Sequence, residues 1–204
     1  MQTGYGRREI ADAVAEQIMN LSYATTFTVI NNREVELAER IAAKTPGDLN
    51  RIYFTTGGST AVDSALRLCQ LASNITGQPN RKHILTREKA YHGSTYLSAS
   101  ITGKERDKTA MDIMRDGIHF LSAPCHFYHP EFSTEAEFCD FLVDELEQKI
   151  LELGPENIMC FIAEPILASG GVIVPPTDYN YRCWQMVKKH EITYIADEVV
   201  TAFG

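Results

Sequence analysis

A few short stretches of this sequence hold the residue types and spacings that chemistry needs. Near the end, "EITYIADEVVTAFG" drives an apolar run into two adjacent acids, Asp197 and Glu198. Strand alternation sends those side chains to opposite faces, so one of the two carboxylates serves a site, and periodicity alone does not choose between them. Gly57-Gly58-Ser59-Thr60 follows the run "RIYFT" and opens a helical pattern. Glycines let a backbone approach closely and take positive φ, and hydroxyls beside free helix N–H groups suit a phosphate. The plainer reading is a glycine turn with a Ser/Thr helix cap. An acidic strand end beside a glycine turn also suits a magnesium-nucleotide loop, but neither G-x-x-x-x-G-K-[ST] nor G-x-G-x-x-G can be written anywhere in the chain. Cys125-His126-Phe127-Tyr128-His129 offers metal-ligand types without a fourth ligand or a supporting carboxylate. A loop near a substrate entrance is the preferred reading there over zinc.

The elements that must position these residues alternate in length. Apolar runs of strand length ("RIYFT", "HILT", "IHFL", "IMCFIAEPI", "ITYIADEVV") are separated by amphipathic segments of helix length, the pattern of a parallel α/β sheet. Packing helices are expected over residues 8–21, with Ile10, Val14 and Ile18 on one stripe, and over 33–44, with Val35, Leu37, Ala38 and Ile41. Further helices are expected after Gly58, after Ser133 or Thr134 until Gly154-Pro155, and around 181–190. No repeat, low-complexity tract or linker divides the chain. Its 204 residues, 44% apolar, suffice for a well-cored domain or a large part of one. The net charge of −8 disfavours nucleic acid and anionic membrane as partners. No window supplies a membrane span or a signal-peptide core, and five widely spaced cysteines without C-x-x-C fit a reducing, cytoplasmic compartment.

Taken in series, "FTTGGSTAVDSALRL", "AYHGSTYLSAS", "IAEPILASGGVIVPP" and "IADEVVTAFG" resemble the class III aminotransferases, fold-type-I enzymes that use pyridoxal 5'-phosphate, and within them the ω-aminotransferase branch. The resemblance implies that amino groups pass from an amine or a β- or ω-amino acid to a keto acid such as pyruvate. It also implies a homodimer or larger assembly, a mostly parallel sheet with helices on both faces, and candidate roles residue by residue. Gly58 and Ser59 take the cofactor phosphate. Tyr91 lies against the pyridine ring, where an aromatic face stacks well, although a buried Tyr in a tight turn is the plainer reading of that position. Val199 covers the other face of the ring. Asp197 sits beside the pyridine nitrogen and keeps the ring protonated. Glu164, the second candidate catalytic position, lines or buttresses the site without transferring a proton. Ser169 stands where ornithine- and GABA-specific relatives carry a second glutamate, which argues against those two substrates.

The resemblance also implies an expectation about extent. The lysine that binds the cofactor covalently is expected beyond residue 204, and Lys188 and Lys189 read as surface charges. Residues 1–204 are then expected to be part of a cofactor-binding large domain. The N-terminal pocket segment, the rest of that domain and a small C-terminal domain are expected outside the chain, which alone is expected to be inactive. A phosphate- or nucleotide-binding module, and a non-catalytic fragment acting through a complete partner subunit, are the competing readings.

Overall fold

The structure is a computed structural model that describes residues 3–25 and 27–203; Gly204, the last residue of the terminal motif, lies outside the described residues. The chain forms two compact units, the first running to Phe54 and the second spanning Thr55–Phe203.

In the first unit, α1 (Arg8–Asn20) and α2 (Asn32–Ala42) form where the apolar periodicity places them. Helix α2 starts at Asn32 because the Asn31 side chain accepts a hydrogen bond from Glu34 N at 2.9 Å, a side-chain cap. Neither helix contributes a buried residue, so the expected packing stripe is present but faces outward: Ile10, Val14 and Ile18 are 43%, 53% and 56% exposed. The expected strand "RIYFT" does not form. Residues 51–55 join no ladder among the described residues, and Tyr53 is 73% exposed. β-rich composition without a neighbouring strand leaves a segment unpaired.

The second unit is built on four parallel strands in the order β2-β1-β3-β4: β1 (His83–Arg87), β2 (Ile118–Leu121), β3 (Ile158–Ala163) and β4 (Thr193–Ala196). Every residue of β3 is buried, as a central strand covered on both faces requires. Alternation divides the core. Leu85, Leu121, Phe161 and Ala163 pack with Phe138, Leu142, Leu146 and Ile150 of α5 (Glu135–Leu153) and with Cys183 and Val187 of α6 (Tyr179–Lys189). Ile84, Ile118, Cys160 and Ile162 pack on the other side with Val62 and Leu66 of α3 (Gly58–Ile75) and with Ile101 at the end of α4 (Tyr96–Ile101). The fold of this unit is therefore α/β with helices on both faces. Thr134 rather than Ser133 caps α5: its hydroxyl accepts from Glu137 N at 3.2 Å while Glu137 Oε2 accepts from Thr134 N at 3.2 Å. Among the described residues no helix is long and apolar enough to cross a membrane.

Candidate functional site

A parallel sheet aligns its strand ends, and the residues singled out by type gather beyond the carboxyl ends of β1, β3 and β4. A cavity of about 260 Å³ there is lined by Gly58, Ser59, Tyr91, Glu164, Asp197 and Val199 together with His92, Gly93 and Ser169. No lysine lines it among the described residues.

Asp197 extends β4 by one bond, its N–H donating to Ala163 O at 2.9 Å, and its carboxylate is buried. Glu198, on the opposite face, is exposed and accepts from the Thr201 hydroxyl at 3.3 Å. The Asp197 carboxylate is not solvated on its inner side. Oδ2 lies 2.7 Å from Nδ1 of His92, whose side chain is wholly buried, and Oδ1 accepts from Val199 N at 3.4 Å. Thr86 fixes the far side of the imidazole. Its hydroxyl donates to Ile101 O at 3.1 Å and lies 3.3 Å from Nε2 of the ring. The His92 amide in turn donates to Thr102 Oγ1 at 3.0 Å. The imidazole that backs the carboxylate is thus held at both ring nitrogens, and its backbone amide is tied down as well.

Glu164 is a brace. Oε1 accepts from Tyr91 N at 2.8 Å and Oε2 from Ala168 N at 3.2 Å, so one carboxylate ties the segment after β1 to the segment after β3. Its backbone carbonyl accepts from Nη2 of Arg87, a fully buried side chain that also lies 5.8 Å from the Tyr179 ring. Nε and Nη1 of Arg87 have no hydrogen-bond partner among the described residues.

At the start of α3, Ser59 Oγ accepts from Ser94 N at 3.0 Å, which leaves its own proton free to donate into the cavity. Thr60 differs from expectation: its hydroxyl turns back to donate to Gly57 O at 2.8 Å, and it does not line the cavity. Gly93, at φ +132°, lets the turn pass, because a Cβ there stands 2.5 Å from both Ser59 Oγ and Ser98 Oγ. Tyr91 is 40% exposed, with Lys104 Nζ 5.5 Å from its ring centroid.

The Cys125–His129 loop goes elsewhere. His126 and His129 stack on Phe138 at 5.5 and 4.8 Å, His126 Nε2 contacts Phe132 O at 3.0 Å, and His129 pairs with Glu131 at 3.0 Å. Among the described residues no three His, Cys, Asp or Glu side chains are arranged to hold a metal ion. Two positions of the cavity and one buried behind it escaped sequence reasoning. His92 and Gly93 stood in full view beside Tyr91, but nothing local tied the imidazole to Asp197. Arg87 gave a weak signal, as a charge closing an apolar strand.

Comparison with known proteins identifies the chain's relatives. The putrescine–pyruvate aminotransferase of Pseudomonas aeruginosa is 37% identical over 205 residues, covering 100% of this chain and 45% of that protein. The mitochondrial gamma-aminobutyrate transaminase 1 of Oryza sativa subsp. indica is 36% identical over 204 residues, covering 98% and 40%. Among solved structures, the (S)-enantioselective omega-transaminase from Thermomicrobium roseum superposes with a TM-score of 0.95 at 37% identity, over 98% of this chain and 45% of that one. The chain thus spans under half the length of the relatives it matches. The profile of the family described as "Aminotransferase class-III" matches residues 1–204, and the chain belongs to that family.

Proposed function

We propose that this chain supplies the ring- and phosphate-holding part of a pyridoxal-phosphate-dependent aminotransferase that moves an amino group from an amine or a β- or ω-amino acid to a keto acid such as pyruvate. The observation that carries the reading is the buried Asp197 carboxylate, backed by His92 at 2.7 Å, in the cavity whose rim holds Ser59 at a helix start. The residues fit the cofactor. Asp197 offers a carboxylate where a protonated ring nitrogen needs one, Tyr91 and Val199 offer faces for a flat ring, and Gly58 and Ser59 offer donors to a phosphate. When bound, pyridoxal phosphate supplies the electron sink that makes a proton on the amino-bearing carbon labile.

The chain's own residues do the rest of what is in view. His92, held by Thr86, orients the Asp197 carboxylate and keeps it directed into the cavity. Glu164 directs no proton; with both oxygens on backbone amides it fixes Tyr91 against the cavity wall. Ser169 lines the cavity with a short neutral side chain, which supports small amine donors over those that need a glutamate at this position. The relative named for putrescine with pyruvate supports an amine donor with a keto-acid acceptor. Five free thiols support a reducing, cytoplasmic setting, and the outward stripe of α1 supports a homodimer or larger assembly.

A fluorescence titration of the chain with pyridoxal phosphate tests the reading. We expect saturable binding that Ser59→Ala weakens by about 1–2 kcal/mol, the loss of one hydrogen bond to a charged group. In a catalytically competent protein carrying this sequence, Asp197→Asn should lower amino transfer by orders of magnitude with the fold intact. Equal binding by the Ser59 variant, or stabilisation by magnesium-nucleotide in place of pyridoxal phosphate, sinks the assignment.

A further inference from the structure

The opposite, amino end of the sheet carries a second arrangement of ligand-bearing side chains. His83 opens β1, and His119 lies in the edge strand β2, where the ladder sets it beside Leu85. Alternation puts His83, Leu85 and His119 on the face covered by α5. Nδ1 of His83 and Nε2 of His119 are 2.9 Å apart, with ring centroids at 4.9 Å and planes inclined by 58°. Both residues are half-buried, and both are anchored on paired strands, so neither ring has to be gathered from solution.

We propose that this histidine pair is a bidentate site for a divalent transition-metal ion of the Ni²⁺ and Cu²⁺ type, with water filling the remaining positions. The spacing selects the ion. Two nitrogens about 2.1 Å from one metal are about 3.0 Å apart when they subtend 90°, and about 3.4 Å apart at the tetrahedral angle zinc prefers. The observed separation matches the square or octahedral corner. The same separation serves a hydrogen bond in the metal-free pair, with one ring donating and one accepting. Metal displaces that shared proton onto the outer nitrogen of its own ring, so each imidazole stays neutral, and no net proton is released.

The surroundings agree. Lys149 and Glu152 of α5 stand within electrostatic reach of His119, the first repelling and the second attracting a cation. The Glu152 carboxylate is held by Lys149 Nζ at 2.6 Å, and the chain's net charge of −8 raises the local concentration of cations.

Calorimetric titration of the full chain with NiCl₂ is the test, since Ni²⁺ does not oxidise the five thiols. We expect one Ni²⁺ per chain, and affinity reduced at least about tenfold in His83→Gln and in His119→Gln, because one imidazole alone is a poor chelator. Zn²⁺ should bind several-fold more weakly than Ni²⁺. On the unsubstituted chain, Ni²⁺ should broaden the amide resonances of residues 83–85 and 117–119, which locates the ion even if one variant fails to fold. Unchanged affinity in both variants, broadening centred on His126 and His129 instead, tighter binding of Zn²⁺, or no binding at millimolar Ni²⁺ each overturns the proposal.

Discussion

Helices α1 and α5 are both amphipathic, yet α5 buries Phe138, Leu142, Leu146 and Ile150 completely while α1 buries nothing. The difference lies in what stands opposite each apolar stripe. Helix α5 lies on a sheet face whose strands share its cluster, and α1 belongs to a unit in which neither helix buries a residue. An apolar stripe records that a helix has a face to cover, and says nothing about which surface covers it.

This contrast can be broken most sharply by truncation. Leu146→Ala should destabilise the second unit by about 2–5 kcal/mol in denaturant unfolding, the cost of a cavity in a closed core. Ile18→Ala, at a 56% exposed position of α1, should change stability by less than about 0.5 kcal/mol. Equal costs would show that α1 packs as tightly as α5 in solution.

Alkaline pH sharpens the same comparison, because the second unit buries acids that ionise late. Burial raises the Cys183 thiol from 9.0 to about 12, and burial raises the Tyr194 phenol from 10.0 to about 12. Below pH 9 the thiol keeps its proton in both states. Above that, the unfolded chain releases a proton that the folded chain retains, so stability falls as pH rises through the window from 9 to 12. The slope for Cys183 is about 1.4 kcal/mol per pH unit. Cys183→Ala should flatten the profile between pH 9 and 12, and an unaltered slope would contradict the burial of this thiol. A smaller effect is expected at the helix start: Thr134→Ala should cost about 1 kcal/mol through loss of the α5 cap, read as a lowered melting temperature.

The stretches readable in the sequence were those whose signal is local. The uninterrupted apolar run of β3, the cap at Ser133 or Thr134 and the Gly154 stop each announce an element within a few residues. The run 51–55 misled because β-propensity was read without a pairing partner, and α4 was missed because six residues are too few to show a period. The candidate site divides the same way. Gly58, Ser59, Tyr91 and Asp197 lie in motifs, whereas the His92–Asp197 contact joins residues 105 positions apart and leaves no periodic trace. The burial of Arg87 was equally hidden, since a charged residue at a strand end ordinarily faces water.

The Glu164 carboxylate has a mechanical consequence. With one oxygen on Tyr91 N and the other on Ala168 N, it is a two-ended strut that works beside the Arg87 bond to the Glu164 carbonyl. A push on either segment is transmitted to the other through this planar group. The two amides should therefore open to solvent as one event, exchanging hydrogen at matched rates, and whatever presses on the ring of Tyr91 should be felt in the turn that carries Ser169.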